Sequence, residues 1–102
     1  LGYSGAPNLI ILNMFLGSLD GLHDYAIITN DRKARRLYKK GVAAAEVVTP
    51  KFDTGSWSLY SLSGERSDAH YHDLTIYFLD KLCKDTKKDV FCDTRDKFRS
   101  YK

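Results

Sequence analysis

Three tyrosines stand in settings that differ from ordinary core positions: Tyr3 beside Gly2, Ser4 and Gly5, Tyr60 after Trp57-Ser58-Leu59, and Tyr71 between His70 and His72. Each falls at an element boundary on a loop-like segment, where functional side chains concentrate. A phenol offers a hydroxyl that both donates and accepts hydrogen bonds. The plainer reading for any one of them is a ring packed against the protein with its hydroxyl in water. A second constellation is Asp68-Ala69-His70-Tyr71-His72-Asp73. In a strand, the two histidines could aim at one metal ion. A site needs three or four ligands, however, and the remaining histidine, His23, falls mid-helix, so no metal site is expected. A helix-entry segment in which Asp68 or His70 faces a cleft and His72 caps or packs fits better. Phosphate-cradling glycine loops, dinucleotide fingerprints and zinc ribbons do not occur, which removes most nucleotide chemistry. Ser, His and Asp are all common enough that a catalytic triad is neither indicated nor excluded.

These residues must be positioned by helices. Leu9, Leu12, Leu16 and Leu19 recur at three- and four-residue spacing from Asn8 to about Thr29, with Pro7 where a first helical turn tolerates it. Asn30 and Asp31 supply turn and N-cap chemistry. Ala34, Leu37, Tyr38, Val42, Ala45 and Val48 then mark a second helix that Pro50 stops. A third is expected from about Tyr71 to Lys84, and a fourth from about Asp89 through Phe91, Phe98 and Tyr101. Between the pairs, Asp53-Thr54-Gly55 is a turn signal and Trp57, Leu59 and Tyr60 have strand-like composition, which predicts a short β-hairpin over residues 52–63. Alternation in such a segment places Tyr60 with Ser58, opposite Trp57 and Leu59, so that its phenol points into a polar space.

Leu19-Asp20-Gly21-Leu22 before one turn echoes Leu79-Asp80-Lys81-Leu82 before the other, as in a helical repeat. The fold class is therefore all-α, two antiparallel helical pairs with a hairpin inserted. A closed bundle has no need of an aromatic hairpin at that place, whereas an (α/α) toroid uses such insertions to wall an axial cleft, and the toroid is preferred. The chain opens on Leu1, with Tyr3 in a Gly/Ser/Pro stretch that reads as a connector, so a piece of a longer protein is expected.

Apolar content of 43% with 28% charged residues is ordinary for a globular domain, and no apolar run approaches the ~18 residues of a membrane span. The net charge of +3 is unevenly placed: Arg32, Lys33, Arg35, Arg36, Lys39 and Lys40 fall within nine residues. An anionic polymer is a permitted partner, and a solvated helix face is the bland reading. Nucleic acid is not expected, because the aromatic residues are spaced like core positions. Cys83 and Cys92 flank the predicted turn between the third and fourth helices. They form either a bridge across that hairpin, suited to an oxidising compartment, or two buried free thiols.

Three blocks carry a resemblance: Asn13-Met14-Phe15-Leu16-Gly17-Ser18-Leu19-Asp20-Gly21-Leu22-His23-Asp24, Phe52-Asp53-Thr54-Gly55-Ser56-Trp57-Ser58-Leu59-Tyr60, and His70-Tyr71-His72-Asp73-Leu74. In order and spacing, they are similar to the successive signature blocks of the D-glucuronyl C5-epimerase C-terminal domain, over nearly the whole chain. The resemblance implies an (α/α) toroid closing over uronic acid residues of a heparosan-like polysaccharide, inversion at carbon 5, and no cofactor. Removing a hydrogen next to a carboxylate builds an enediolate, and the proton must return on the opposite ring face, so two acid/base groups are needed. Tyrosine can fill both roles, although its ordinary pKa of ~10 must be lowered by nearby cations to make a base at neutral pH.

By that resemblance Tyr3, Tyr60 and Tyr71 are the catalytic candidates and Asn13 and His72 substrate-binding ones, to which His70, from the helix-entry reading, and Arg66 are added. One departure concerns the arginine that animal members carry three residues after the hairpin tyrosine, where this sequence has Ser63. Arg66 is expected to supply that charge. The implied surroundings are the Golgi lumen for an animal protein or the cell surface for a bacterial one, with homodimerisation expected only through the full-length protein. Two other functions remain: a polysaccharide lyase sharing the proton abstraction, and a non-catalytic polyanion-binding or helical-repeat module.

Overall fold

A computed structural model describes residues 11–102. Four α-helices are formed among them: α1 (Leu12–Thr29), α2 (Arg32–Val48), α3 (Ala69–Thr86) and α4 (Asp89–Ser100), with a 3₁₀ turn over Thr49–Phe52 after α2. The helical reading therefore holds, with boundaries close to those expected. The start of the first helix at Asn8 lies outside the described residues. Local chemistry sets the ends. Asn30 takes a left-handed conformation (φ 54°) at the end of α1, and Asp31 caps α2 by accepting from the Lys33 amide at 2.8 Å. Asp68 caps α3 through the Tyr71 amide at 2.8 Å, and Lys87, again left-handed, closes it.

The core is an apolar cluster drawn from every helix: Leu12, Leu16 and Leu19 of α1, Val42 and Ala45 of α2, Ile76, Leu79 and Leu82 of α3, and Phe91 and Phe98 of α4, with Phe52 from the 3₁₀ turn. Their three- and four-residue spacing turns one stripe of each helix inward. The pairs α1–α2 and α3–α4 are hairpins, and α1 packs directly on α3. The approaches of Gly17 to Phe78, Asp20 to Lys81 and His23 to Asp85 keep a nearly constant offset, so α1 and α3 run parallel. Two glycines permit close packing. The Phe78 ring lies 3.1 Å from where a Gly17 Cβ would be, and Leu19 fills the space of a Gly41 side chain. No helix among the described residues is long and apolar enough to cross a membrane.

The predicted β-hairpin is corrected. Residues 53–67 form two successive tight turns with isolated bridges, Asp53 with Ser58, Leu59 with Arg66, and Ile11 with Ser61, and no strand is built among the described residues. The Asp53-Thr54-Gly55 turn signal is real. Asp53 accepts from the Gly55 amide at 2.9 Å, Thr54 Oγ1 accepts from the Trp57 amide at 2.9 Å, and Gly55 has φ 93°. What prevents a ladder is the second turn, closed by Gly64 (φ 102°), which reverses the chain again after Ser61.

Cys83 and Cys92 are bonded, which settles the open choice between a bridge and free thiols. A nine-residue separation makes the closed loop short, and the loop-entropy relation then gives about 2–3 kcal/mol of stabilisation. Reduction under otherwise native conditions is expected to lower the unfolding free energy in urea melts by that amount. A Cys83→Ser/Cys92→Ser protein should match the reduced wild type.

Beside the bridge, Asp80 of α3 receives Arg95 Nη1 of α4 at 2.8 Å and Lys84 Nζ at 2.9 Å, with Arg99 at 3.8 Å. The hydrogen bond from Lys84, and then that from Arg95, hold its carboxyl below the ordinary carboxylate range. A folded-state pKa below the unfolded one stabilises the fold at pH values above the unfolded pKa. That stabilisation disappears as pH falls through the lowered value. Asp80→Asn is therefore expected to be less stable than wild type at neutral pH, with the difference closing in urea melts taken at progressively more acid pH.

Candidate functional site

The two tight turns bring the second and third motif blocks together. Trp57 stacks on His72 with ring centroids 3.7 Å apart and planes 11° from parallel, and its indole N–H donates to the Ser67 carbonyl at 2.7 Å. The His72 ring is fully buried: Nε2 is 2.8 Å from the Phe98 carbonyl of α4, and Nδ1 is 2.7 Å from the Ser58 hydroxyl. A carbonyl only accepts, so Nε2 carries the proton, and in the neutral ring Nδ1 accepts from Ser58. The loop, α3 and α4 are thus joined at one imidazole.

Of the roles expected for His72, packing is the one observed, and it stands against the substrate-binding one: the ring has no exposed edge and both nitrogens are engaged within the protein, so it braces the site. The same commitment keeps His70 and His72 from converging on a metal: His70 stands exposed on the helix surface. Ser58, which alternation places in a polar space with Tyr60, is likewise buried. Neither Ser58 nor the Phe98 carbonyl is recognisable from spacing, because the first becomes a partner only once the loop packs on α3 and the second only once α4 folds back onto it.

Around that brace, Tyr60 and Tyr71 come into contact, with ring centroids 5.2 Å apart and planes 51° from each other. Tyr60 comes from the loop and Tyr71 from the first turn of α3, where the Asp68 cap fixes the backbone. Both are half-buried. The His70 ring lies edge-on to Tyr71 at 5.3 Å. The start of α1 joins the same cluster: the Leu12 amide donates to the Tyr60 carbonyl at 3.2 Å and Ile11 bridges Ser61. Asn13, next in sequence, is buried at that junction. Two tyrosines, His70 and the Asn13 segment, distant in sequence, are therefore neighbours.

Arg66 is exposed on the same turn, where it bridges Leu59, and the Glu65 carbonyl accepts from the Tyr60 amide at 2.6 Å. The His70 ring lies against the Tyr71 member of the pair. Ser63, which stands at the position of the family arginine, pairs its hydroxyl with that of Ser61 at 2.6 Å. Tyr3 lies outside the described residues.

Comparison with known proteins agrees with the motif reading. A family model described as D-glucuronyl C5-epimerase C-terminus matches residues 2–100. The chain is 30% identical over 118 aligned positions to the D-glucuronyl C5-epimerase of Caenorhabditis elegans, covering 97% of this chain and 19% of that protein. It is also 33% identical over 64 positions to an uncharacterised protein of Methanocaldococcus jannaschii, covering 63% of this chain and 21% of that one. The chain thus spans about a fifth of the length of these relatives. With the family model matching almost end to end, and the motif blocks of the resemblance meeting around Tyr60 and Tyr71, the chain belongs to the D-glucuronyl C5-epimerase C-terminus family.

Proposed function

We propose that this domain supplies part of the catalytic wall of a uronate C5-epimerase, acting on D-glucuronyl residues of a heparosan-like polysaccharide without a cofactor. The observation that carries the reading is the contact of two phenols from separate elements, Tyr60 and Tyr71, flanked by His70 and by the Asn13 segment. Two rings in contact leave no room for a pyranose between them. The pair therefore forms one side of the sugar, and the proton donor on the other ring face comes from elsewhere. Tyr3 is the candidate for that second group, on the segment that leads into α1. Asn13 and His70 contact the sugar hydroxyls or carboxylate, and Arg66, exposed on the same turn, supplies the charge that Ser63 does not.

The arrangement also suits an (α/α) toroid in the longer protein: α1 and α3 run parallel and side by side, each backed by its own hairpin partner. The Cys83–Cys92 bridge favours an oxidising compartment, the secretory pathway of an animal cell or the outside of a bacterial one. Incubating the full-length protein with uronate polymer in deuterium oxide tests the reading. Deuterium at carbon 5 with an inverted centre is the expected result. An unsaturated product absorbing in the ultraviolet would reassign the site to a lyase, and absence of both would remove the catalytic reading.

A further inference from the structure

We infer that the outer face of α2 is a second binding site for an anionic polysaccharide strand, distinct from the tyrosine pair. Arg35 and Arg36 each stand three or four residues from both Arg32 and Lys39, so the four form a continuous stripe on one side of the helix. They line an open depression of about 440 Å³. Lys33 and Lys40 extend the charge to the adjoining face.

Two features mark this stripe. Of the ten cations outside α2, Lys81, Lys84, Lys88, Arg95, Arg99 and Lys102 lie within ion-pair distance of a carboxylate, and the four that do not, Lys51, Arg66, Lys87 and Lys97, are scattered along the chain rather than grouped. Among the described residues, none of the six cations of α2 does, and the residues outside that range contain no Asp or Glu. Arg35 alone is tied down, through the carbonyl and side-chain oxygens of Asn30, and that contact aims its guanidinium without neutralising it. The charges also sit where they weaken the helix. Beyond the Asp31 cap the first turn of α2 holds no acidic residue, so its cations meet the positive end of the macrodipole and one another at i,i+3 and i,i+4. A ligand carrying several negative charges removes both penalties at once.

The stripe is remote from the tyrosines. Arg32 follows the end of α1, about 27 Å along that 18-residue helix from the Leu12–Tyr60 junction. One strand that reaches both places spans several sugar residues. The site therefore holds a long substrate while a residue is processed elsewhere on it, which rests on the epimerase reading. Engagement of the stripe favours long chains over short ones, and the preference weakens with salt.

The test uses the full-length protein and the variant Arg32→Ser/Arg36→Ser/Lys39→Ser. These three side chains are exposed, and Arg35 keeps its contact with Asn30. Direct binding of heparosan polymer and of a short heparosan oligosaccharide is measured for both proteins, together with carbon-5 exchange. The variant is expected to bind the polymer about tenfold more weakly and to show a correspondingly higher KM for it, with kcat and all short-oligosaccharide values unchanged. The difference in polymer affinity between the two proteins should shrink as salt is raised. Polymer binding within twofold of wild type would overturn the proposal, as would equal losses for polymer and oligosaccharide, or wild-type binding to phosphatidylserine vesicles in place of the polymer. The binding arm decides this site even where wild type shows no exchange, an outcome that counts against the epimerase reading alone.

Discussion

Tyr71→Phe in the full-length protein is expected to lower carbon-5 exchange from D-glucuronyl polymer by about 10²–10⁴-fold, the usual contribution of a positioned acid/base group. Phenylalanine keeps the ring that touches Tyr60 and His70, so the loss reports the hydroxyl alone. Under the proposed function, in which the two phenols form one wall, Tyr60→Phe should impair exchange from the same starting epimer. Tyr3→Phe should instead retain exchange while losing inversion, since a proton removed on one face is then returned on that face. Measuring deuterium incorporation separately from product configuration distinguishes these outcomes. Unchanged exchange in both Tyr60→Phe and Tyr71→Phe would remove the pair from the chemistry.

The second large effect is structural. His72→Ala takes away the ring stacked on Trp57, leaves the Phe98 carbonyl without its donor, and opens a void where a fully buried side chain had been. Cavity formation and an unsatisfied buried acceptor together are expected to cost about 3–5 kcal/mol. For a domain of this size that corresponds to a fall in Tm of at least roughly 12 °C. His72→Gln retains an N–H at comparable reach and should be milder. Because the same imidazole fixes the loop to α3 and α4, the Ala variant should also lose activity at temperatures where it remains folded. Far-ultraviolet melting followed by exchange assays below the transition separates the two losses.

Most of the helical plan is written in local chemistry. Leucines at three- and four-residue spacing, Asp31 placed to cap, Asn30 able to turn left-handed and Pro50 unable to continue a helix each act within a few residues, so their consequences can be read from neighbours in sequence, whereas Asp68, expected with His70 as a candidate to face a cleft, caps α3 instead. The motif order around Asn13, Tyr60 and Tyr71 likewise points to the family from the residues alone. The loop departs from the expected hairpin because alternating composition predicts pairing only when the chain stays extended, and Gly64 turns it back after Ser61.

What the tertiary structure decided are the relations between distant segments. His72 is expected to cap or pack at the helix entry, but the acceptor that fixes its ring is the Phe98 carbonyl of α4, and nothing within α3 encodes that acceptor. Tyr60 and Tyr71 are nameable from their settings, but their contact depends on the loop being bound through Ser58 and Trp57 to the same helix. The basic run in α2 is visible as charge, yet its lack of carboxylate partners emerges only after the acids on α3 and α4 have met cations of their own. Capping and periodicity are short-range, so local residues determine which elements form; which side chains are left free for chemistry is settled by packing, which is not short-range.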